Sequence, residues 1–322
     1  MLSKISVVIP TYCRPQLLSK CLQALCYQTL DKNEYEVIVV SDGPDEETQK
    51  TVAGFAGMHM PICFLQLPQK KGPAAARNMG WQNANGILIA FTDDDTLPDK
   101  DWLTNIAKAY DGTAAIAFTG RIKVPVSLPP TDYEKNTAGL ETADFVTANC
   151  ICTKKALQQV GGFDERFSMA WREDSDLEFK LLRHHIPIIR HIDAWVVHPV
   201  RWAPWGISIK EQKKSMFNAL LYKKYPQLYR SKIQRHPKWN YYIMVLSILL
   251  LVIGLIFKVK WLSIIAFVCW LFLSVQFILL RLSATSKNTS HILEMIVTSI
   301  IIPFVSVYWR LYGAWKYRVL FL

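Results

Sequence analysis

Over the first two hundred residues, short apolar runs alternate with longer stretches in which apolar positions recur at helical spacing. Ile5-Ser6-Val7-Val8-Ile9 reads as a strand that Pro10-Thr11-Tyr12 ends. Pro15 then opens a helix with Leu17, Leu18, Cys21, Leu22 and Leu25 on one face. Tyr35 to Val40 forms a second strand that closes in Ser41-Asp42-Gly43, followed by a helix from Asp45 to Ala56 and a strand from Ile62 to Leu67. Gly72 to Asn78 begins another helix, which runs to Asn85-Gly86 and leads into the strand Ile87 to Thr92. That strand stops at three consecutive carboxylates, Asp93-Asp94-Asp95. Strands alternating with helices over this length predict an α/β domain, a mainly parallel sheet with helices on both faces.

After Asp99 the pattern is mixed. A helix at Asp101 to Tyr110 and a strand at Ala115 to Arg121 precede a polar, proline-containing loop from Pro125 to Asn136. Phe145 to Thr153 reads as a strand, Lys154 to Val160 as a short helix stopped by Gly161-Gly162, and Ile188 to Val197 as a strand. Between the last two, Leu177, Leu181 and Leu182 mark a helix with Glu173 and Asp174 at its N-terminus. From residue 241 to 280 the chain is almost continuous hydrocarbon, interrupted by Lys258 and Lys260. Residues 241–257 and 261–280 predict a hairpin of two membrane spans. The stretch 291–318 is apolar but holds Glu294 and Pro303, and its end is rich in aromatic and basic residues. It predicts an interfacial or re-entrant helix with Trp309, Tyr312, Trp315 and Tyr317 at headgroup depth. The expected organisation is a catalytic domain over 1–205, a basic juxtamembrane segment over 206–240 and a membrane domain over 241–322.

The net charge of +11 could suggest nucleic acid, but its location argues otherwise. From Arg201 to Lys238 there are ten Lys or Arg residues and one acid, Glu211, so much of the excess sits just before the first span. That placement favours anionic membrane lipids over nucleic acid, and puts the N-terminal domain in the cytoplasm by the positive-inside rule. The seven cysteines show no metal-ligand or redox spacing and suit reduced thiols in such a domain, and no signal peptide is evident from Met1 to Pro10.

Three adjacent carboxylates repel one another, and a divalent cation, Mg²⁺ or Mn²⁺, would relieve the conflict while binding a phosphate. The alternative is a solvated acidic turn before the helix that follows Asp99. In parallel α/β sheets ligands sit at the carboxyl ends of the strands, which places Thr11, Asp42 and Asp93 to Asp95 along one rim. Arg77 lies on the helix before the acidic strand. An arginine and a cation on one rim suit a diphosphate. Glu173 and Asp174 gain from the helix dipole whatever their function, and a carboxylate there can also take a proton from a hydroxyl.

In their order and spacing, six motifs resemble the family 2 glycosyltransferases. They are Ser6-Val7-Val8-Ile9-Pro10-Thr11-Tyr12, Val39-Val40-Ser41-Asp42-Gly43, Gly72 to Asn78, Phe91 to Asp95, Gly161-Gly162-Phe163-Asp164-Glu165, and Glu173-Asp174. The resemblance covers residues 5 to 200 and implies a GT-A nucleotide-diphospho-sugar transferase fold. It places Thr11, Tyr12 and Arg14 against the base and ribose of a nucleotide sugar, Asp42 on the base, and Arg77 near the phosphates. Asp93 and Asp95 match the family's Asp-x-Asp pair, Asp93 toward the ribose and Asp95 on the metal. Asp94 stays in the donor region as an outward-facing or structural member. Asp174 is the implied general base with Glu173 beside it, and His198 is a further candidate for the metal or diphosphate.

These roles make up an inverting transferase, membrane-anchored, that moves a sugar from a nucleotide-diphosphate sugar to a lipid-linked or membrane-proximal acceptor. Lipid-linked glycan, glycolipid or cell-envelope polysaccharide synthesis would use such a reaction. Processive synthases of the family carry Gln-x-x-Arg-Trp; here Arg201-Trp202 follows Val197 to Val200 with no such Gln, which implies single-sugar or short-chain transfer. A nucleotidyltransferase of related fold and a catalytically silent nucleotide-binding scaffold are the competing readings.

Overall fold

The computed structural model describes residues 4–58 and 60–321. The chain divides into two compact units, Met1–Pro125 with Ala138–Val200, and Val126–Thr137 with Arg201–Leu322. The first begins with β1 (Ile5–Thr11), α1 (Pro15–Cys26), β2 (Tyr35–Ser41), α2 (Glu46–Ala53), β3 (Ile62–Gln66), α3 (Pro73–Asn83) and β4 (Leu88–Thr92). It continues through β5 (Leu97–Pro98), α4 (Trp102–Ala109) and β6 (Ala117–Lys123). The chain then forms α5 (Asp132–Ala138), most of which belongs to the second unit, before returning as β7 (Asn149–Thr153), α6 (Lys154–Val160), α7 (Glu173–Arg183) and β8 (Ile188–Val197).

The eight strands form one sheet in the order β3-β2-β1-β4-β7-β6-β8-β5. β1 pairs in parallel with β2 on one side and β4 on the other, so the strand order reverses at β1. β1 and β4 are buried along their whole length, which is why both read as near-continuous apolar runs and not as alternation. β7 runs antiparallel to β4 and β6, while β6 and β8 are parallel. The expected mostly parallel α/β sheet is therefore present, with antiparallel members in its second half. Two local expectations change. The loop predicted from Pro125 to Asn136 contains α5, started by a capping box: Thr131 N donates to Glu134 Oε2 at 2.7 Å and Glu134 N to Thr131 Oγ1 at 3.2 Å. The strand predicted from Phe145 begins only at Asn149, because Asn149 N closes a turn onto the Val146 carbonyl at 3.1 Å.

In the second unit, α8 (Ile207–Glu211), α9 (Met216–Lys224), the single turn α10 (Pro226–Leu228) and a π-helical turn at Tyr229–Ile233 precede three long helices. These are α11 (Trp239–Ile256), α12 (Lys260–Leu282) and α13 (Thr289–Lys316), each long and apolar enough to cross a membrane. α11 and α12 form the expected hairpin, turning at Lys258 with φ of +56°. Their small residues meet closely, since a Cβ on Gly254 would lie 2.5 Å from Ser263 Oγ. α13 is one helix, continuous through Pro303. Its inner face buries Thr298, Ser299, Ser306 and Arg310 beside the apolar Met295, Ile302 and Val307, and its outer face exposes Leu293, Val297, Ile301 and Leu311. Arg281 on α12 is fully matched: Nη2 donates to Asp132 Oδ2 at 2.7 Å, and Nη1 to Thr298 Oγ1 at 2.6 Å and Ser299 Oγ at 3.1 Å.

Candidate active site

The acidic stretch leaves β4 in a tight turn. Thr96 closes it by donating to the Asp93 carbonyl from its backbone N at 3.2 Å and from Oγ1 at 2.8 Å. β5 follows at once and pairs antiparallel with the end of β8, Leu97 opposite Val197. That register sets Asp95 beside His198, whose Nε2 lies 3.6 Å from Asp95 Oδ1. His198 N donates to the Lys123 carbonyl at 2.8 Å, which fixes the strand end. One ligand atom from each of Asp93, Asp95 and His198 lies within 4.8 Å of the others. Two carboxylates and an imidazole at this spacing fit a single divalent cation with bonds of about 2.0–2.6 Å. His198 Nδ1 is buried with no hydrogen-bond partner, a further sign that this imidazole serves something other than packing.

Asp94 does not face outward. It is 2% exposed, accepts from Thr11 Oγ1 at 2.8 Å and is paired with Arg14 Nη1 at 3.3 Å. Burial pushes its carboxyl up to about 6 against the pull of Arg14, with the neighbouring Asp95 adding to the rise. Of the two expectations for Asp94, outward-facing or structural, its place is the structural one, because the turn closed by Thr96 carries it inward. Thr11 and Arg14, expected at the base and ribose, are thus placed on Asp94, tying the end of β1 to the acidic turn.

Arg77 joins this turn to α7. It is 2% exposed, with Nη2 2.7 Å from Asp93 Oδ1 and Nη1 3.2 Å from Glu173 Oε1. Asn78 beside it anchors the glycine-rich turn: Phe163 N donates to Asn78 Oδ1 at 2.9 Å, and the Phe163 ring lies under the Arg77 guanidinium. At the start of α7, Glu173 is buried and Asp174 partly so, Asp174 Oδ1 accepting from Ser175 N at 2.6 Å. Burial raises both carboxyls above their ordinary range. For Glu173 the charge of Asp174 adds to the rise and Arg77 opposes it; for Asp174 the Arg172 charge and the Ser175 N–H oppose it.

Asp42 is buried at the end of β2. Its Oδ1 accepts from Lys71 N at 2.7 Å and Gly72 N at 2.8 Å, so it gathers the loop that starts α3. Gly72 makes this possible with φ of +104°, and a Cβ there would lie 2.4 Å from the Ser168 carbonyl oxygen. Tyr12 stands nearby with Lys70 Nζ 3.7 Å from its ring centroid. One rim thus holds Thr11, Arg14, Asp93, Asp94, Asp95 and His198, with Arg77 connecting them to Glu173 and Asp174. Sequence reasoning missed Lys70, which the basic run before Gly72 could have signalled, and the Arg77–Glu173 link, which had no local signal.

The mixed, mostly parallel sheet with its helices is a GT-A-like fold. The fold of a Pyrobaculum calidifontis mannosyltransferase, PcManGT, solved with GDP-Man and Mn²⁺, matches with a TM-score of 0.59 at 16% identity, over 98% of this chain and 88% of that one. Staphylococcus aureus TarS with UDP-GlcNAc matches with a TM-score of 0.54 at 15% identity, over 96% and 92%. The chain belongs to glycosyl transferase family 2, whose model matches residues 6–167. Among curated relatives, the glycosyltransferase AglE of Haloferax volcanii is 32% identical over 222 residues, 65% of this chain and 70% of that protein. The pre-mycofactocin glycosyltransferase of Mycobacterium tuberculosis is 33% identical over 161 residues, 45% of this chain but only 33% of its own length.

Proposed function

We propose that this protein is a membrane-anchored, metal-dependent, inverting glycosyltransferase. It moves one sugar from a nucleotide-diphosphate sugar to a hydroxyl or lipid phosphate at the membrane surface. The observation that carries this reading is the convergence of Asp93, Asp95 and His198 within 4.8 Å of one another on a rim that Arg77 ties to the Glu173-Asp174 pair. Asp93, Asp95 and His198 would hold a divalent cation, which when bound would offer positive charge where the leaving diphosphate gains negative charge. Arg77 has given its terminal nitrogens to Asp93 and Glu173, so its part is to hold those carboxylates in place and not to reach the phosphates. Asp174, oriented by the Ser175 N–H, takes the proton from the attacking hydroxyl. A raised carboxyl pKa makes it a stronger base once ionised. A single displacement with the base opposite the leaving group inverts the anomeric centre. The similar folds that bind GDP-Man and UDP-GlcNAc support a nucleotide-sugar donor while differing in both base and sugar.

The apolar helices support a membrane anchor with the catalytic unit on the cytoplasmic side. α13 has the length to span, but its partners favour the headgroup plane. The basic segment after the catalytic unit follows it from end to end: Gly206 N donates to Glu294 Oε1 at 2.7 Å, and Lys223 Nζ to the Tyr317 carbonyl at 2.8 Å. A bilayer-crossing α13 would draw Lys210, Lys213, Lys214 and Lys223 into hydrocarbon.

Incubating the full chain with a panel of nucleotide sugars, Mn²⁺ and membrane lipid extract tests the reading. Release of nucleoside diphosphate that stops on chelation is expected. Release of pyrophosphate, the product of a nucleotidyltransferase, would contradict it.

A further inference from the structure

Among its described residues, the second unit leaves one buried positive charge without a counter-charge. Arg310, on the inner face of α13, is 3% exposed. Its Nη2 donates to Gln234 Oε1 at 2.7 Å, while Nε and Nη1 are buried with no acceptor, and among the described residues no carboxylate pairs with it. Arg281 in the same unit shows the usual solution, an ion pair with Asp132 at 2.7 Å. A second cation stands close by. Arg230, half-buried in the π-helical turn, donates through Nη1 to the carbonyl of the same Gln234 at 3.5 Å. The two guanidiniums flank one ring, Phe321, at 6.0 Å and 5.7 Å from its centroid. The Tyr242 hydroxyl lies beside Arg310, a neutral neighbour that supplies no counter-charge. Two like charges converging on one glutamine, one of them desolvated, are costly unless an anion lies between them. An ionisable group within apolar helices marks a ligand more often than it marks packing.

We propose that Arg310 and Arg230 bind the phosphate of a lipid at headgroup depth. Two guanidinium forks match phosphate oxygens in geometry, and their joint charge suits a phosphomonoester over a zwitterionic headgroup. Access comes from the side of half-buried Arg230, where the chain exposes Arg235 and Trp239. A bilayer phospholipid and a phosphorylated lipid acceptor share this chemistry. The inference rests on the membrane reading of this unit, and it is independent of the transfer chemistry.

The test reconstitutes the full chain in nanodiscs of equimolar phosphatidylcholine and phosphatidic acid and counts lipids retained after detergent extraction by native mass spectrometry. The wild type retains phosphatidic acid selectively. Arg310→Gln and Arg230→Gln each lower that retention about tenfold, as loss of a charge-assisted fork should, and Arg318→Gln, which removes an exposed charge from the same region, leaves it unchanged. A second arm replaces phosphatidic acid with an isoprenyl monophosphate; the lipid retained more strongly identifies the source, and either result supports the site. If Arg310→Gln does not fold, the more exposed Arg230→Gln decides. Equal retention in wild type and both variants, an equal loss in Arg318→Gln, or complete displacement by inorganic phosphate overturns the site. Failure to enter nanodiscs at all overturns the membrane reading and the site together.

Discussion

Arg77 sits between two acids from distant parts of the chain, and its burial makes it the strongest constraint on the site. Arg77→Met leaves Glu173 buried and Asp93 partly buried without their counter-charge, which should cost about 3–5 kcal/mol and lower the thermal midpoint of the detergent-solubilised protein. Without the arginine the carboxyl of Glu173 is raised further, so its ionised form is what destabilises the fold. The deficit is therefore smallest at low pH, where Glu173 is protonated, and grows as pH rises through its raised pKa. A deficit independent of pH would remove Glu173 from the account. Asp174 is the matching case for activity. As the proposed base it would work only when ionised, and burial holds its pKa above the usual 3.8, so the rate is expected to fall with decreasing pH from a point above that value. Arg172 holds the pKa down, so Arg172→Gln should move the acid limb of the rate profile to higher pH. An unmoved limb would mean that another group sets it.

At the scale of elements, β5 is the piece that completes the candidate metal site. It spans Leu97–Pro98, too short to leave a periodic signal, and exists because it pairs with the end of β8 a hundred positions on. That pairing turns His198 from a histidine beside a proline into a neighbour of Asp95. His198→Ala should weaken Mn²⁺ binding at least about tenfold, read by electron paramagnetic resonance titration; unchanged affinity would exclude the imidazole from the ligand set. The strands leading to the site were legible, because β1, β2 and β4 are almost wholly buried and written as near-continuous apolar runs. The orientation of Asp94 was not, since it depends on a turn closed by Thr96 and on partners some eighty positions earlier, Thr11 and Arg14. α5 was legible in principle, its Thr131-x-x-Glu134 capping box being hidden only by the prolines before it.

At the scale of the molecule, the sequence separates an α/β half from an apolar half through composition, whereas the course of α13 depends on packing. Its hydrocarbon outer face reads as a span, and only the buried inner face shows that it has protein partners along its length. A cysteine introduced at Arg318 in a chain lacking other reactive thiols should resist a membrane-impermeant thiol reagent applied to intact cells; labelling from outside would make α13 a true span. The central claim, that Asp174 is the base serving a donor held across the acidic rim, is tested most directly by Asp174→Asn in the purified full chain. Donor binding measured by calorimetry should persist while the turnover of nucleotide sugar to nucleoside diphosphate falls about 100-fold or more. Wild-type turnover in this variant would contradict the account.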